Sequence, residues 1–413
     1  MSIRLRLIVM NFLEFFVWGS WLISLGGYMF VTLKFTGTQV GSIYATMGIA
    51  SLFMPSIMGI IADRWINAER VLGLCHIIGA ILLICAAQVK DYAWVYVLML
   101  VNSMFYMPTI ALNNTVSYAV LEQRGLNIIK LFPPIRVWGT VGFIVAMWLV
   151  DILHWTVSPM QLYVSAASGL FLGIYAFTMP PCPPTKLKGD GSLLSSFGLD
   201  ALVLFKNRRM AIFFVFAMLL GAALQITNTF GEPFIHDFAA TYPDSFAVQH
   251  PSLLMSLSQI SETLFILTIP FFLSRFGIKR VMLISIFAWV LRFGLFAVGN
   301  PVGGIFFLGL SMIIYGMAFD FFNISGSLFV EKEADHSIMA SAQGLFMFMT
   351  NGIGAFFGGT LSGWIVDYFT SDGIRDWPSI WLTFSGYALV LGIIFPFVFN
   401  YKHEPNKLET VKD

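Results

Sequence analysis

The chain is short of charge: only 11% of its residues are Asp, Glu, Lys or Arg, where a soluble protein carries about 25%. Cysteine is scarcer still. Cys75, Cys85 and Cys182 show no metal-ligand spacing, and the first two fall in one expected helix, which argues against a zinc site and a disulfide framework. There is no phosphate-cradling glycine loop and no nucleophile elbow, so nothing points to an ATPase or a soluble enzyme. The net charge of +1 is spread over loops without a basic patch, and no nucleic-acid partner is implied. No cofactor is called for.

What the chain has instead is apolar surface. Of its 413 residues, 58% are hydrophobic and 16% aromatic, 42 of them Phe, and the mean hydropathy is +0.81. Apolar spans of roughly 18–25 residues, the length that crosses a bilayer, recur near 8–31, 40–62, 71–89, 93–117, 134–153, 160–180, 210–231, 251–274, 280–298, 303–325, 340–367 and 378–399. The expectation is an all-α membrane protein of twelve transmembrane helices, with lipid as its surroundings. The first run, Leu7 to about Val31, is too long for a signal-peptide core and reads as a retained helix. The short stretch after the last span leaves no room for a soluble signalling domain, which argues against a membrane receptor.

The widest polar gap, rich in proline and lysine around Pro180–Gly191 and continuing to Lys206, Arg208 and Arg209, separates two six-helix halves. The expected layout is residues 1–180, a linker at 181–209, a second half at 210–400 and a tail at 401–413. Lys/Arg placement orients it. With the N-terminus inside, Lys34, Lys90 and Arg375 fall outside, and Arg136 and Arg292 lie in or at helices. The remaining 18 of the 23 are cytoplasmic, so both termini and the linker are expected in the cytoplasm. Gly59-Ile60-Ile61-Ala62-Asp63-Arg64 follows span two, and Ser274-Arg275 follows span eight 211 residues later. Parallel six-helix repeats are the plan of major-facilitator transporters, and the first loop resembles that superfamily's Gly-x-x-x-Asp-Arg signature. Asp63, Arg64 and Arg275 read as gating or structural charges at the inner face.

Ionisable groups at membrane depth are expensive and point to function. Glu262 lies in Gln259–Pro270, and Asp320 in Phe319–Asn323. Gln225 and Asn228, and likewise Gln259 and Glu262, are three apart and share a helix face. Arg136 opens span five, with Thr140 and Phe143 on its stripe. Tyr315, Phe319 and Phe322 form an aromatic stripe in span ten, with Asp320 and Asn323 about 100° further round. Glu14, Trp18 and Trp21 share a face of span one. His76 reads as a packed histidine, because no carboxylate lies one helical turn away. Gly354–Gly358 and Gly359–Gly363 are spaced for close helix packing. Amides, a carboxylate and aromatic faces suit a nucleoside, but they suit a sugar equally well, and residue chemistry leaves both open.

Longer motifs carry a resemblance. Trp18-Gly19-Ser20-Trp21, Phe132–Thr140, Leu199–Leu202 with Leu204–Asn207, Leu224–Asn228, Ser258–Glu262 and Phe319–Ser327 resemble the bacterial nucleoside:proton symporter family of the major facilitator superfamily, from about residue 3 to residue 403. The resemblance implies a nucleoside importer of the bacterial inner membrane, taking purine and pyrimidine nucleosides and driven by protons; a monomer is expected. It implies nucleoside contacts from Arg136, Thr140, Phe143, Gln225, Asn228, Gln259, Glu262, Tyr315 and Phe319, and proton coupling through Asp320. Glu262 and Glu14 are the other carboxylates expected to take part in coupling. One departure is that close members carry Gln where this chain has Glu14. A sugar or oligosaccharide importer, or a nucleoside exporter of the same fold, is the competing reading.

The topology can be checked directly. Alkaline phosphatase fused at residue 190 or at the C-terminus should be inactive, and a cytoplasmic reporter at either point active. Phosphatase activity at either point removes the two-by-six arrangement.

Overall fold

Side-chain caps set where many of the helices begin. Ser2 Oγ accepts from Leu5 N, Asn127 Oδ1 from Lys130 N, and Asn207 Oδ1 from Arg209 N and Met210 N. Asp91 and Asp376 do the same for the helices that follow them. Thr36 and Gln39 close a reciprocal capping box. Each cap satisfies amide groups that the first turn leaves without partners.

The computed structural model describes residues 2–184, 199–335 and 338–401. Residues 185–198 of the expected linker, and the tail from residue 402, therefore lie outside the described residues. The order is α1 (Ile3–Gly19), α2 (Leu25–Gly27) continuing as a π turn, α3 (Gly37–Arg64), α4 (Ala68–Gln88), α5 (Tyr92–Gln123), α6 (Ile128–Ile152) and α7 (Met160–Ala176). After it come α8 (Arg208–His236), α9 (Pro251–Ile266), α10 (Ile269–Val298), α11 (Ile305–Glu333), α12 (Met339–Met347), a π turn to Gly354, α13 (Ala355–Tyr368) and α14 (Trp377–Val398). A two-residue hairpin, Thr370–Ser371 with Ile374–Arg375, precedes α14. Among the described residues, nine helices are long and apolar enough to cross a membrane.

Three expected spans differ from what is observed. The first breaks after Gly19, where Ser20 Oγ takes the Phe16 carbonyl at 2.7 Å. Trp21 therefore does not share a helical face with Glu14 and Trp18. Span five starts at Ile128, so Arg136 is in its third turn and Pro133 and Pro134 are inside the helix, at an exposed stretch. The run expected at 251–274 divides at Leu267–Thr268, and Gly277, at φ 75°, kinks α10 just beyond it. Only glycine adopts that backbone without strain.

Helices before and after the central segment meet at one end of the molecule. Gly37 N and Thr38 N, at the start of α3, donate to the two Asp367 carboxylate oxygens of α13 at 2.5 and 2.7 Å, a negative charge on a helix N-terminus. One turn on, a side chain at Gly41 would collide with the Gly359 carbonyl, so the two backbones touch. Asp151 of α6 joins His250 Nδ1 at 2.8 Å and accepts from Ser252 N at 2.9 Å. Trp148 Nε1 donates to Ser256 Oγ at 2.8 Å. His236 lies 3.3 Å from Thr156 Oγ1 and 2.9 Å from Glu232, and the Arg375 guanidinium lies 3.8 Å from the Phe30 ring centre.

Bonds at the opposite end tie neighbours within one set: Gln123 to the Pro181 carbonyl, Arg209 to Glu333, Lys279 to the Pro396 carbonyl. There, residues 51–61 of α3 are all only partly buried. Cys182, in the segment after α7, gives its N–H to Glu69 at 2.8 Å, and burial together with Glu69 pushes its thiol up to about 12. The molecule is closed at one end and open at the other.

Gly41→Leu places a clash costing about 1–3 kcal/mol on the closed arrangement alone. Spin labels at Lys34 and Tyr368, both exposed at that end, should report longer separations in the variant. An unchanged distance distribution removes this contact as the closing element.

Candidate functional site

Four helices carry the candidate residues. Arg136, Thr140 and Phe143 lie on α6, Gln225 and Asn228 on α8, Gln259 and Glu262 on α9, and Tyr315, Phe319 and Asp320 on α11. α6 meets α9 through the Trp148–Ser256 bond, and α9 meets α11 where Gly316 packs on the backbone of Ser261 and Glu262. Glu14 lies on α1, behind the α6 stripe, with its aromatic neighbours between: Trp18 meets the Phe143 ring at 6.1 Å, edge to face, and the Phe15 ring at 6.5 Å.

The guanidinium of Arg136 lies 3.9 Å from the Phe15 ring centre. Among the described residues it makes no ion pair, yet it feels the charges of both Glu262 and Glu14. Glu262 is half-buried, as are Thr140 and Asn228, and the side chains of all three are without a hydrogen-bond partner among the described residues. Polar groups left open to solvent inside an apolar bundle are available to a ligand. Among the described residues, the Gln225 side chain bonds only to Thr229 on its own helix, at 3.3 Å. It does not bridge to a neighbour.

On α11, Tyr315 and Phe319 stack with centroids 6.0 Å apart and planes 12° apart. Gln259 lies close to Tyr315, which sets the amide of α9 beside the aromatic stripe. Asp320 is 3% exposed, its Oδ2 has no hydrogen-bond partner among the described residues, and it feels the charge of Glu262. Asp63, Arg64 and Arg275 are exposed at the open end, away from this cluster.

Sequence reasoning passed over two groups. Arg292 is wholly buried, donates to the Ser311 carbonyl at 2.8 Å, and lies 4.6 Å from the Tyr315 ring centre. Its signal was visible, since it interrupts an apolar span just as Glu262 does. The second is His76, expected as a packed histidine, whose Nε2 is 2.8 Å from Glu14 Oε2. The partner comes from a different helix, and spacing along α4 carries no trace of it. At the closed end, Asp151, Glu232, His236 and His250 were also missed, because polar residues near span ends look like ordinary loop chemistry.

A bundle of apolar helices, closed at one end, with unpaired polar groups on helices from both parts of the chain, is the build of a multi-pass membrane transporter. The chain belongs to the nucleoside H+ symporter family, whose pattern it matches over residues 1–404. It is 60% identical to the xanthosine permease of Escherichia coli (strain K12) over 412 residues, covering 99% of both chains. It is 55% identical to the nucleoside permease NupG of the same organism over 406 residues, 98% of this chain and 97% of the relative. The crystal structure of the nucleoside transporter NupG superposes with a TM-score of 0.92 at 55% identity, over 97% of this chain and all of that one. These relatives are permeases, not enzymes.

Two sets of variants probe the cluster. Asn228→Ala and Gln259→Ala should each weaken nucleoside binding by about 1–3 kcal/mol, since a desolvated ligand group loses its partner. Arg136→Lys keeps the charge but loses the planar fork, so uptake should fall at unchanged protein levels. Wild-type affinity and uptake in these variants would detach the cluster from substrate.

Proposed function

We propose that the chain imports purine and pyrimidine nucleosides together with protons across the bacterial inner membrane, by alternating access. In this reading nine long apolar helices and three shorter elements, α1 with α2, α7 and α9, make twelve crossings in two six-helix halves. Both termini and the central segment face the cytoplasm. The closed end is then periplasmic, and the arrangement described above is inward-facing. The protein acts as a monomer and needs no cofactor, since the proton gradient supplies the energy. Asp63, Arg64 and Arg275 close the cytoplasmic end in the opposite state.

The observation that carries this reading is the set of unpaired side chains of Thr140, Asn228 and Glu262 beside the stacked Tyr315–Phe319 pair. A nucleoside answers each of them: the base has a face for the rings and an edge for the amides, and the ribose has paired hydroxyls for a carboxylate. Arg136, Phe143, Gln225 and Gln259 complete the wall. Family membership and the relatives' names support the nucleoside over the sugar.

Asp320 carries the proton. A buried carboxylate with an orphaned oxygen that also feels another acid is costly unless its charge is removed or paired, and a proton is the smallest group that removes it. Glu262 holds substrate. Protonation that raises nucleoside affinity requires that nucleoside raise proton affinity by the same factor.

Proteoliposomes separate the two roles. Asp320→Asn, a mimic of the protonated acid, should still exchange labelled uridine or xanthosine across the membrane but fail to accumulate it against a gradient. Glu262→Gln should lose binding and exchange together. Uphill, proton-dependent uptake by Asp320→Asn sinks the assignment, and preferential uptake of xylose sinks the nucleoside reading.

A further inference from the structure

We infer that Glu14 and His76 form a second proton-binding site, which holds one shared proton and is linked to nucleoside binding through Arg136. The inference rests on the transporter reading above, and concerns a part of the molecule in which Asp320 plays no role.

Both groups are buried, Glu14 at 0% and His76 at 3% exposure, and they come from α1 and α4. Imidazole Nε2 and carboxylate Oε2 are 2.8 Å apart. The other oxygen, Oε1, accepts from Thr109 Oγ1 at 2.6 Å, and the Glu14 carbonyl accepts from Tyr106 OH at 2.9 Å, both from α5. Three helices thus hold the pair in one geometry. Carrying one shared proton, the pair is neutral whichever ring or oxygen holds it. Without that proton it carries one negative charge in surroundings that screen charge poorly.

The titratable and charged groups facing the pair are few. Tyr106 and Cys75 are buried against it, and Arg136 is the cation that feels Glu14. Arg136 also feels Glu262, the acid assigned to substrate. One guanidinium therefore answers to two carboxylates, one on each side of the central segment. When the pair gives up its proton, Glu14 pulls harder on Arg136, and the ligand side holds it less. When the pair is loaded, Arg136 is released toward Glu262 and the nucleoside. Binding and loading favour each other for that reason alone.

A cavity with room for about one water molecule is lined by His76, Asn102 and Tyr106 together with apolar Trp21, Cys75 and Leu83. Three polar side chains are what such a water needs.

Proton counting tests the site. In purified wild-type protein in weakly buffered detergent, adding xanthosine or uridine should take up protons, measured by a pH dye or by calorimetry in buffers of different ionisation enthalpy. Asp320→Asn should lose part of that uptake and keep part, and its nucleoside binding should keep a residual dependence on pH. Adding Glu14→Gln or His76→Gln to Asp320→Asn should remove the remainder. Either single variant should lower the count in an otherwise wild-type protein while nucleoside still binds. A pair that merely packs would lower thermal stability in these variants and leave the count unchanged, and that result overturns the inference. So does an Asp320→Asn protein that binds nucleoside with no linked protons. Failure of wild type to bind any nucleoside would instead overturn the transporter reading.

Discussion

One cation stands between acids from opposite sides of the chain, and the chemistry of the cavity hangs on it. Arg136 feels Glu262 and Glu14 but pairs closely with neither among the described residues, and rests on the ring of Phe15. In water such an arrangement would be unremarked, because distant charges are screened. Inside an apolar bundle each charge is felt across several ångströms, and a guanidinium cannot shed its own proton to escape. Whatever changes the charge of one acid must therefore change how the arginine serves the other. In the proposed mechanism, substrate and proton are coupled by electrostatics before any helix moves.

The second constraint is mechanical. α3 and α13 touch backbone to backbone at Gly41 and Gly359, and Asp367 caps the α3 N-terminus across that seam. Asp151 with His250 and Trp148 with Ser256 fasten the neighbouring seam. Each of these bonds can be exchanged for a bond to water, so each contributes only about 1–3 kcal/mol net. A seam built from a few such bonds holds the end shut without making opening prohibitive.

Much of this was legible in the sequence, for a reason that also sets the limit. Against an apolar background every charged residue stands out, so Arg136, Glu262 and Asp320 declare themselves without any structural knowledge. The two glycine pairs did the same for close packing, and Gly359 and Gly363 do touch α3. What stayed hidden is what depends on a second helix. Glu14 and His76 lie 62 residues apart and Asp151 and His250 lie 99 apart, and no periodicity relates them. The break after Gly19 was hidden too, since hydropathy stays high across it while hydrogen bonding does not.

The glycine seam has one more consequence. In the opposite state of the proposed cycle, parting α3 and α13 would uncover a stripe around Gly37, Gly41, Gly359 and Gly363 that has little side-chain relief. A small molecule finds no pocket there to fill and nothing to grip. Freezing the protein with that end open would take something broad and flat, such as an antibody fragment spread across both helices. Inhibitors of ordinary size belong at the other mouth, where half-buried side chains along residues 51–61 already offer relief.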